Sequence, residues 1–173
     1  GHGDIDPCKA LMKSCNDVMM HMAADLGATR FAKYVRSFGF GSKTGIDLPG
    51  EAEGGIFSKE KLHQVELATS SFGQGQTVTM IQLASAFSAV INGGNYYQPH
   101  VVKEINSESG AVVSSNDNTL VKRVVSEDAS KLIRKYLEKT VEDDEGTANP
   151  ARVKGYVIGG KTGTAEKWPR NEG

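Results

Sequence analysis

The sequence has little of several features that would assign a protein to a class at once. Its 173 residues include two cysteines, Cys8 and Cys15, too few for a disulfide-stapled secreted scaffold. No run approaches the roughly 18 apolar residues of a transmembrane helix, and the start does not read as a signal peptide. Lys plus Arg number 20 against 21 for Asp plus Glu, without a basic block. This balance argues against non-specific nucleic-acid binding. Four scattered histidines, without HExxH or CxxC, predict no metal site.

What remains is the composition of an ordinary globular domain, with 38% hydrophobic and 24% charged residues. The length suits one domain with a core of its own, and we predict a single unit over residues 1–173. Predicted helices and strands follow one another without a βαβ rhythm. The fold class is therefore expected to be α+β, an antiparallel sheet with flanking helices.

Local signals place several elements. Asp6-Pro7 predicts a helix start, and an apolar stripe runs on to a terminator at Gly27. Because the polar cluster Ser14–Asp17 interrupts that stripe, two helices with a tight break are expected. Three further helices are predicted. One covers residues 29–37, one begins at the Thr79/Gln82 capping box, and one covers residues 126–141. A Gly-rich loop is predicted over 39–57, and Glu142–Glu145 is interpreted as a solvated loop. The predicted strands are Tyr96–Ile105, Ala111–Ser115, Leu120–Val125 and Val153–Ile158.

Two short motifs point to chemistry. Ser14-Cys15-Asn16 is an S-x-N, and Lys161-Thr162-Gly163 is a K-T-G that follows an apolar segment. Either motif alone is weak, since three-letter patterns arise by chance and an S-x-N is more often only a helix cap. Together they match two members of the set S-x-x-K, S-x-N and K-T-G found in penicillin-binding proteins and serine β-lactamases.

Flanking blocks strengthen this match. SCNDVMMHMAADLGATRF, FGFGSKTGIDLPGE, SFGQGQTVTMIQLASAFSAVINGG with YQPHVVKEI, and GTANPARVKGYVIGGKTGTAEK stand in this order along the chain. They resemble the corresponding blocks of the transpeptidase domain of class B penicillin-binding proteins. The resemblance implies part of the penicillin-binding transpeptidase or serine β-lactamase-like fold.

The resemblance also implies a reaction. A serine would attack the D-Ala-D-Ala end of a peptidoglycan stem peptide, and an amine of a neighbouring stem would take the acyl group. Ser14 would relay a proton, Asn16 would hold the substrate backbone, and Lys161 would bring positive charge to the substrate carboxylate. The catalytic set is completed by the backbone N–H of Thr164, as one arm of the oxyanion hole. The substrate-binding set implied is Thr162, Gly163, Thr164 and Gln74.

The resemblance extends to partners and location. Peptidoglycan stem peptides, β-lactam antibiotics and other cell-wall synthesis proteins are the partners implied, with no nucleic acid and no cofactor. The parent protein would be anchored at the extracytoplasmic face of the bacterial membrane. Division, elongation and sporulation remain equally open as the process it serves.

One departure concerns the nucleophile, which the family carries in an S-x-x-K before S-x-N. The S-x-x-K string of this sequence, Ser58–Lys61, lies after Ser14-Cys15-Asn16 and among charged residues. We therefore expect a fragment of a transpeptidase domain, running from S-x-N to the K-T-G-T strand and inactive by itself. A non-catalytic β-lactam sensor or a partner in cell-wall complexes is the alternative.

Two further strings have rival interpretations. Residues 155–162 satisfy the P-loop pattern GxxxxGK[ST], which would predict nucleotide binding. Because a strand is predicted inside the would-be loop and no helix start follows Lys161, we expect no ATP binding. Lys43-Thr44-Gly45 is a second K-T-G, but no apolar strand precedes it, and a structural loop is expected.

Overall fold

A computed structural model describes residues 3–164 as a mixture of helices and short antiparallel strands. The predicted α+β class is confirmed. The helices are α1 (Pro7–Met12), α2 (Asn16–Leu26), α3 (Ala28–Ser37), α4 (Gln64–Ser71), α5 (Met80–Ile91) and α6 (Glu127–Glu142). The strands are β1 (Asn95–Tyr97), β2 (Glu104–Asn106), β3 (Val112–Ser115) and β4 (Leu120–Arg123). Short 3-10 turns lie at Lys59–Lys61 and Asn149–Ala151.

The chain divides into two compact units, and each is described by itself. Unit 1 draws on Gly1–Ala32, Phe57–Gln76 and Lys131–Gly173, and unit 2 on Lys33–Ile56 and Thr77–Ser130. That residues 1–173 fold as a single unit remains a prediction. None of the helices in the described range is long and apolar enough to cross a bilayer.

Unit 1 begins with the predicted helix start and break. Asp6 caps α1 by accepting the Lys9 backbone N–H at 2.8 Å, with Pro7 at the first helical position. After Met12 the chain turns, and α2 starts at Asn16 and ends at Gly27, whose φ of 79° suits glycine. The two-helix interpretation is therefore confirmed.

Helix α4 in unit 1 was not predicted from the sequence. The segment Gln64–Ser71 has no apolar period, and the residue it buries is a serine, Ser70. The helix packs along α2, so tertiary contacts stabilise it where its own pattern is weak. This helix leads directly into the segment with Gln74.

The predicted strand Val153–Ile158 is wrong: these residues and the following Lys161–Thr164 are irregular in the structure. No described strand pairs with them. Instead their amides bond to α6, since Ile158 N–H donates to the Glu142 carboxylate at 2.9 Å and Gly160 N–H donates to Leu137 O at 3.1 Å. An apolar run is necessary for a buried strand, but a strand also needs a partner for its backbone groups.

Unit 2 is built on α5, which begins with the predicted capping box of Thr79 and Gln82. Tyr96 of β1 is buried beside this helix, which buries Ala86 and Ala89. Strand β1 pairs antiparallel with β4, and β2 pairs antiparallel with β3. The predicted single strand Tyr96–Ile105 is wrong, because Pro99 and its neighbours separate β1 from β2.

The predicted Gly-rich loop of unit 2 is held by polar contacts. Gln82 is fully buried, and its amide donates to Ser42 O at 2.7 Å and Glu53 O at 2.9 Å. Asp47 accepts the backbone N–H groups of Val101 and Val102 at 2.8 and 2.9 Å. These bonds satisfy, within the unit, polar groups of a loop that forms neither a helix nor a named strand.

Candidate active site

The site starts from the break between α1 and α2 in unit 1. Ser14 has φ of 53°, the one positive value among the described residues that are not glycine. Such a conformation is strained for an L-residue and is often retained at functional sites. Ser14 does not cap α2, since Cys15 occupies the N-cap position without a side-chain bond. The left-handed turn instead leaves the Ser14 hydroxyl free for a contact distant in sequence.

That contact is with Lys161, and it confirms the predicted convergence of the two motifs across 147 positions. Lys161 Nζ donates to Ser14 Oγ at 2.5 Å, to Thr162 O at 3.0 Å and to Thr162 Oγ1 at 3.1 Å. An ammonium group has three N–H donors, and these three acceptors use all of them. Because Ser14 Oγ accepts from Lys161, its own proton remains free to be donated elsewhere.

Around this pair lies a cleft of about 510 Å³. It is lined by Ala10, Leu11, Ser14, Asn16, Met19, Ser71, Phe72, Gln74, Lys161, Thr162, Gly163 and Thr164. Each residue predicted for the site is therefore on this wall. Lys161 is the one charged side chain among these residues, so the cleft is a neutral surface with a single positive group. Such a cleft suits a ligand with one carboxylate.

Burial lowers the pKa of Lys161 below the ordinary lysine value of 10.5. No charged group contributes to this shift, and the three acceptors of its ammonium group are neutral. Desolvation disfavours the charged form of a lysine, which lowers the free-energy cost of releasing its proton. A lysine in this environment is better suited to proton exchange than an exposed one.

The remaining predicted residues surround the pair. Asn16 and Gly163 are exposed to the cleft, and the Asn16 side chain makes no hydrogen bond within residues 3–164. Gln74 is half-buried, and its Nε2 donates to Thr164 O at 3.3 Å. This bond joins the segment after α4 to the segment after Lys161. In residues 3–164 the Thr164 N–H has no backbone acceptor.

Sequence reasoning missed part of the wall. Leu11, Met19 and Phe72 supply its apolar surface, and Ser71 lies beside Phe72 at the end of α4. Phe72 directly precedes the GQG segment, so its position next to a predicted site residue was an available signal. Leu11 and Met19 carried no signal, because their apolar spacing is the same as that of a helix core.

The alternative strings do not form sites. Ser58 precedes the short 3-10 turn Lys59–Lys61, with Lys61 exposed, and neither lines the cleft. In the P-loop string, Ile158 N–H is bonded to a carboxylate and Gly160 N–H to a helix carbonyl. These amides are not available to cradle a phosphate, and the strand expected inside the string is absent from this described segment. Within the described residues, no three metal-ligating side chains converge.

Lys43-Thr44-Gly45 in unit 2 is structural, as predicted. Glu51 accepts from the Thr44 backbone N–H at 2.6 Å, from its hydroxyl at 2.5 Å and from Gly45 N–H at 3.0 Å. Bonding to the Thr44 side chain is the main cause that lowers the pKa of Glu51. The tripeptide is therefore a clamp within a loop.

Comparison with known proteins agrees with this geometry. Stage V sporulation protein D of Bacillus subtilis (strain 168) is 45% identical over 168 residues, 96% of this chain and 26% of that protein. The D,D-transpeptidase domain of a peptidoglycan glycosyltransferase from Eggerthella lenta aligns with a TM-score of 0.87 and 28% identity, over 96% of this chain and 43% of that one.

Penicillin-binding protein 3 of Mycobacterium tuberculosis, solved in complex with ampicillin, aligns with a TM-score of 0.86 and 28% identity, over 93% of this chain and 36% of that one. The chain spans about a quarter of the length of the curated relatives it matches. The family model described as penicillin binding protein transpeptidase domain matches residues 1–173. This chain therefore belongs to the family of penicillin-binding protein transpeptidase domains.

Proposed function

We propose that residues 1–173 supply the S-x-N and K-T-G walls of a D,D-transpeptidase that crosslinks peptidoglycan stem peptides through a serine acyl-enzyme. The same protein would bind penicillin, and penicillin would acylate the same serine. The observation that carries this proposal is the hydrogen bond from Lys161 to Ser14 in an otherwise neutral cleft. The names of the relatives and the ampicillin complex support the reaction class.

The pair would move a proton. Acyl transfer from D-Ala-D-Ala releases an amine, which must gain a proton as it leaves. Ser14 accepts a hydrogen bond from Lys161, and its own hydroxyl proton can therefore pass to the leaving nitrogen. Lys161 would replace that proton. The lowered pKa of Lys161 reduces the free-energy cost of this second transfer.

The other wall residues would orient the acyl donor. The substrate ends in a carboxylate, and Lys161 is the one positive side chain of the cleft, with the Thr162 and Thr164 hydroxyls beside it. Asn16 would donate its free amide to the peptide carbonyl, and Gln74 would hold the Thr164 segment in place. The Thr164 N–H would be one arm of the oxyanion hole, and Gly163 would leave space for the substrate backbone.

The nucleophile would come from an S-x-x-K segment outside residues 1–173. Ser58 does not meet the requirement, because it is absent from the cleft and Lys61 is exposed. Groups that stabilise a transition state accelerate nothing without the attacking atom. The complete protein would act at the extracytoplasmic face of the membrane with other cell-wall synthesis proteins.

A labelled penicillin tests this proposal. The complete protein and residues 1–173 alone are incubated with it, and covalent adducts are located by mass spectrometry. We expect one acyl group on the complete protein, at a serine upstream of Gly1, and none on residues 1–173. An adduct on Ser58 would contradict the assignment of the nucleophile. If the complete protein formed no adduct, the non-catalytic alternative of a cell-wall complex partner would replace the enzymatic one.

A further inference from the structure

The acidic segment Glu142–Glu145, predicted to be a solvated loop, begins with a residue that is helical and partly buried. Glu142 is the last residue of α6, and its side chain is only 21% exposed, against 95% for Asp144 two residues later. A carboxylate at a helix C-terminus faces the negative end of the helix dipole, which is unfavourable. Its retention in a partly buried position requires compensating partners.

Glu142 has two such partners, both in the segment that leads to the K-T-G. One carboxylate oxygen accepts the Ile158 N–H at 2.9 Å, and the other pairs with Arg152 Nε at 3.0 Å. Ile158 lies in a segment without regular secondary structure, and this carboxylate satisfies its amide. A hydrogen bond to a charged acceptor is stronger than one between neutral groups.

A second tether lies on the other side of Gly159. Gly160 N–H donates to Leu137 O at 3.1 Å, and a Cβ atom added at Gly159 would lie 3.2 Å from the Glu138 nitrogen. The chain is therefore pressed against α6 between two hydrogen bonds, and Lys161 is the next residue. No interaction of Glu142 reaches Lys161 itself in the described structure, and Glu142 does not contribute to the pKa of that lysine.

We propose that Glu142 is a positioning residue for Lys161: its hydrogen bond to Ile158 holds the backbone from which Lys161 reaches Ser14. This inference rests on the proposed function for its effect on acylation, but the placement of Lys161 can be measured without any activity. Loss of the tether lets the lysine move into solvent. Its pKa then rises toward the ordinary value of 10.5, since burial alone lowers it.

Three substitutions in the complete protein distinguish the length of the Glu142 side chain from its charge. Glu142→Asp keeps the charge but shortens the side chain by about 1.5 Å, one carbon–carbon bond. Glu142→Gln keeps the reach and a hydrogen-bond acceptor but loses the charge. Glu142→Ala loses both. Asp144→Ala is the matched control, because it removes the same charge from an exposed side chain whose contact with Arg152 is 3.9 Å long.

Two readouts are measured for each variant, with thermal unfolding as the check on folding. The first is the pH dependence of Lys161 acetylation by acetic anhydride, followed by mass spectrometry, which gives the pKa of the amine. The second is the rate of acylation by a labelled penicillin. We expect Glu142→Asp and Glu142→Ala to raise the pKa of Lys161 and to slow acylation about tenfold or more, as small displacements of catalytic groups do. Glu142→Gln and Asp144→Ala should stay within about threefold of the wild type.

The outcomes are distinguishable. A wild-type pKa of Lys161 in folded Glu142→Asp would overturn the positioning role, as would a loss of acylation that only follows the loss of folded protein. An effect in Glu142→Gln and Glu142→Ala that is absent in Glu142→Asp would assign the role to charge and also overturn the positioning role. If the wild type were not acylated while the pKa of Lys161 still responded to Glu142→Asp, the proposed function would fail and the positioning role would stand.

Discussion

The chain contains the same tripeptide twice, and the two copies have different surroundings. Lys161-Thr162-Gly163 lines a cleft in unit 1, where the lysine is half-buried and donates to Ser14 and Thr162. In Lys43-Thr44-Gly45 of unit 2 the lysine is exposed, and the threonine is the residue in use, bonded to Glu51. In one copy the lysine makes a hydrogen bond distant in sequence, and in the other the threonine binds a carboxylate.

The comparison teaches that the neighbours of a motif decide its role. In unit 1 the acceptor is a hydroxyl on a strained turn, and the lysine ammonium supplies the donors. In unit 2 the acceptor is a carboxylate seven residues downstream of Thr44, and the backbone and hydroxyl supply the donors. A carboxylate within local reach accepts from the Thr44 hydroxyl and from the Thr44 and Gly45 amides, so these donors are already used within the loop.

Replacement of each lysine by alanine is expected to give the largest difference between the two copies, measured as the rate of penicillin acylation. Lys161→Ala removes the positive group of the cleft, so penicillin acylation of the complete protein should fall about 10²–10³-fold. Lys43→Ala is the matched control and should leave the rate unchanged, because Lys43 is exposed in a structural loop. Rates are measured with a fluorescent penicillin. A comparable loss in both variants would break the distinction between the two copies.

Ser14 offers a second, smaller test on the unit 1 side. Ser14→Ala and Ser14→Gly both remove the proton relay, and each should slow acylation about 10²-fold. The two should differ in stability, because φ of 53° is strained for alanine and not for glycine, by about 1 kcal/mol.

Thermal unfolding measures that difference, and Ser37→Ala, which removes a hydroxyl bonded within α3, is the control for both readouts. Equal melting temperatures for Ser14→Ala and Ser14→Gly would contradict the strained turn. Undiminished acylation in either variant would contradict the relay.

The pH dependence of stability should differ between the copies. The lowered pKa of Glu51 comes from hydrogen bonds to Thr44, so its stabilisation is complete above the ordinary value of 4.5 and is lost as the pH falls through the folded pKa. Lys161 has a lowered pKa through burial, so the unfolded chain binds more protons, and stability rises with pH between the folded pKa and 10.5.

Unfolding of this chain is followed from pH 2 to pH 5 and from about pH 8 to pH 11, windows set by the ordinary values of 4.5 and 10.5. Glu51→Gln should reduce the pH dependence of the free energy of unfolding in the acid range alone. Lys161→Met should reduce it in the alkaline range alone. If either substitution reduced the pH dependence in the other range, the assignment of the acid range to Glu51 and of the alkaline range to Lys161 would be wrong.

The smallest expected effect is on nucleotide binding, because we expect none. The string 155–162 has two of its amides bonded to α6, so a fluorescent ATP analogue with Mg²⁺ should show no binding in the micromolar range. Fluorescence anisotropy measures this, with a known P-loop protein as positive control. Saturable, Mg²⁺-dependent binding would restore the nucleotide interpretation of this Lys161 region.

The parts of the fold that local chemistry specifies were predictable. Asp6-Pro7, Gly27 and the Thr79/Gln82 capping box mark helix ends through hydrogen bonds over three or four residues, and each was found where predicted. The family was predictable for a different reason, because four motif-bearing blocks occur in one order. Helix α4 was not predictable, since its polar sequence is helical only when packed along α2.

For the site, the residue types of Ser14, Asn16 and Lys161 are in the sequence, and their meeting depends on the fold. The amino-acid sequence by itself determined the helix ends, the break at Ser14 and the motifs, because these depend on neighbouring residues. Only the tertiary structure decided that Leu11, Met19 and Phe72 line the cleft, and that the Glu142 carboxylate binds the Ile158 amide. Those choices depend on partners far away in the chain, and hydrogen-bond donors take whichever acceptor the fold brings within about 3 Å.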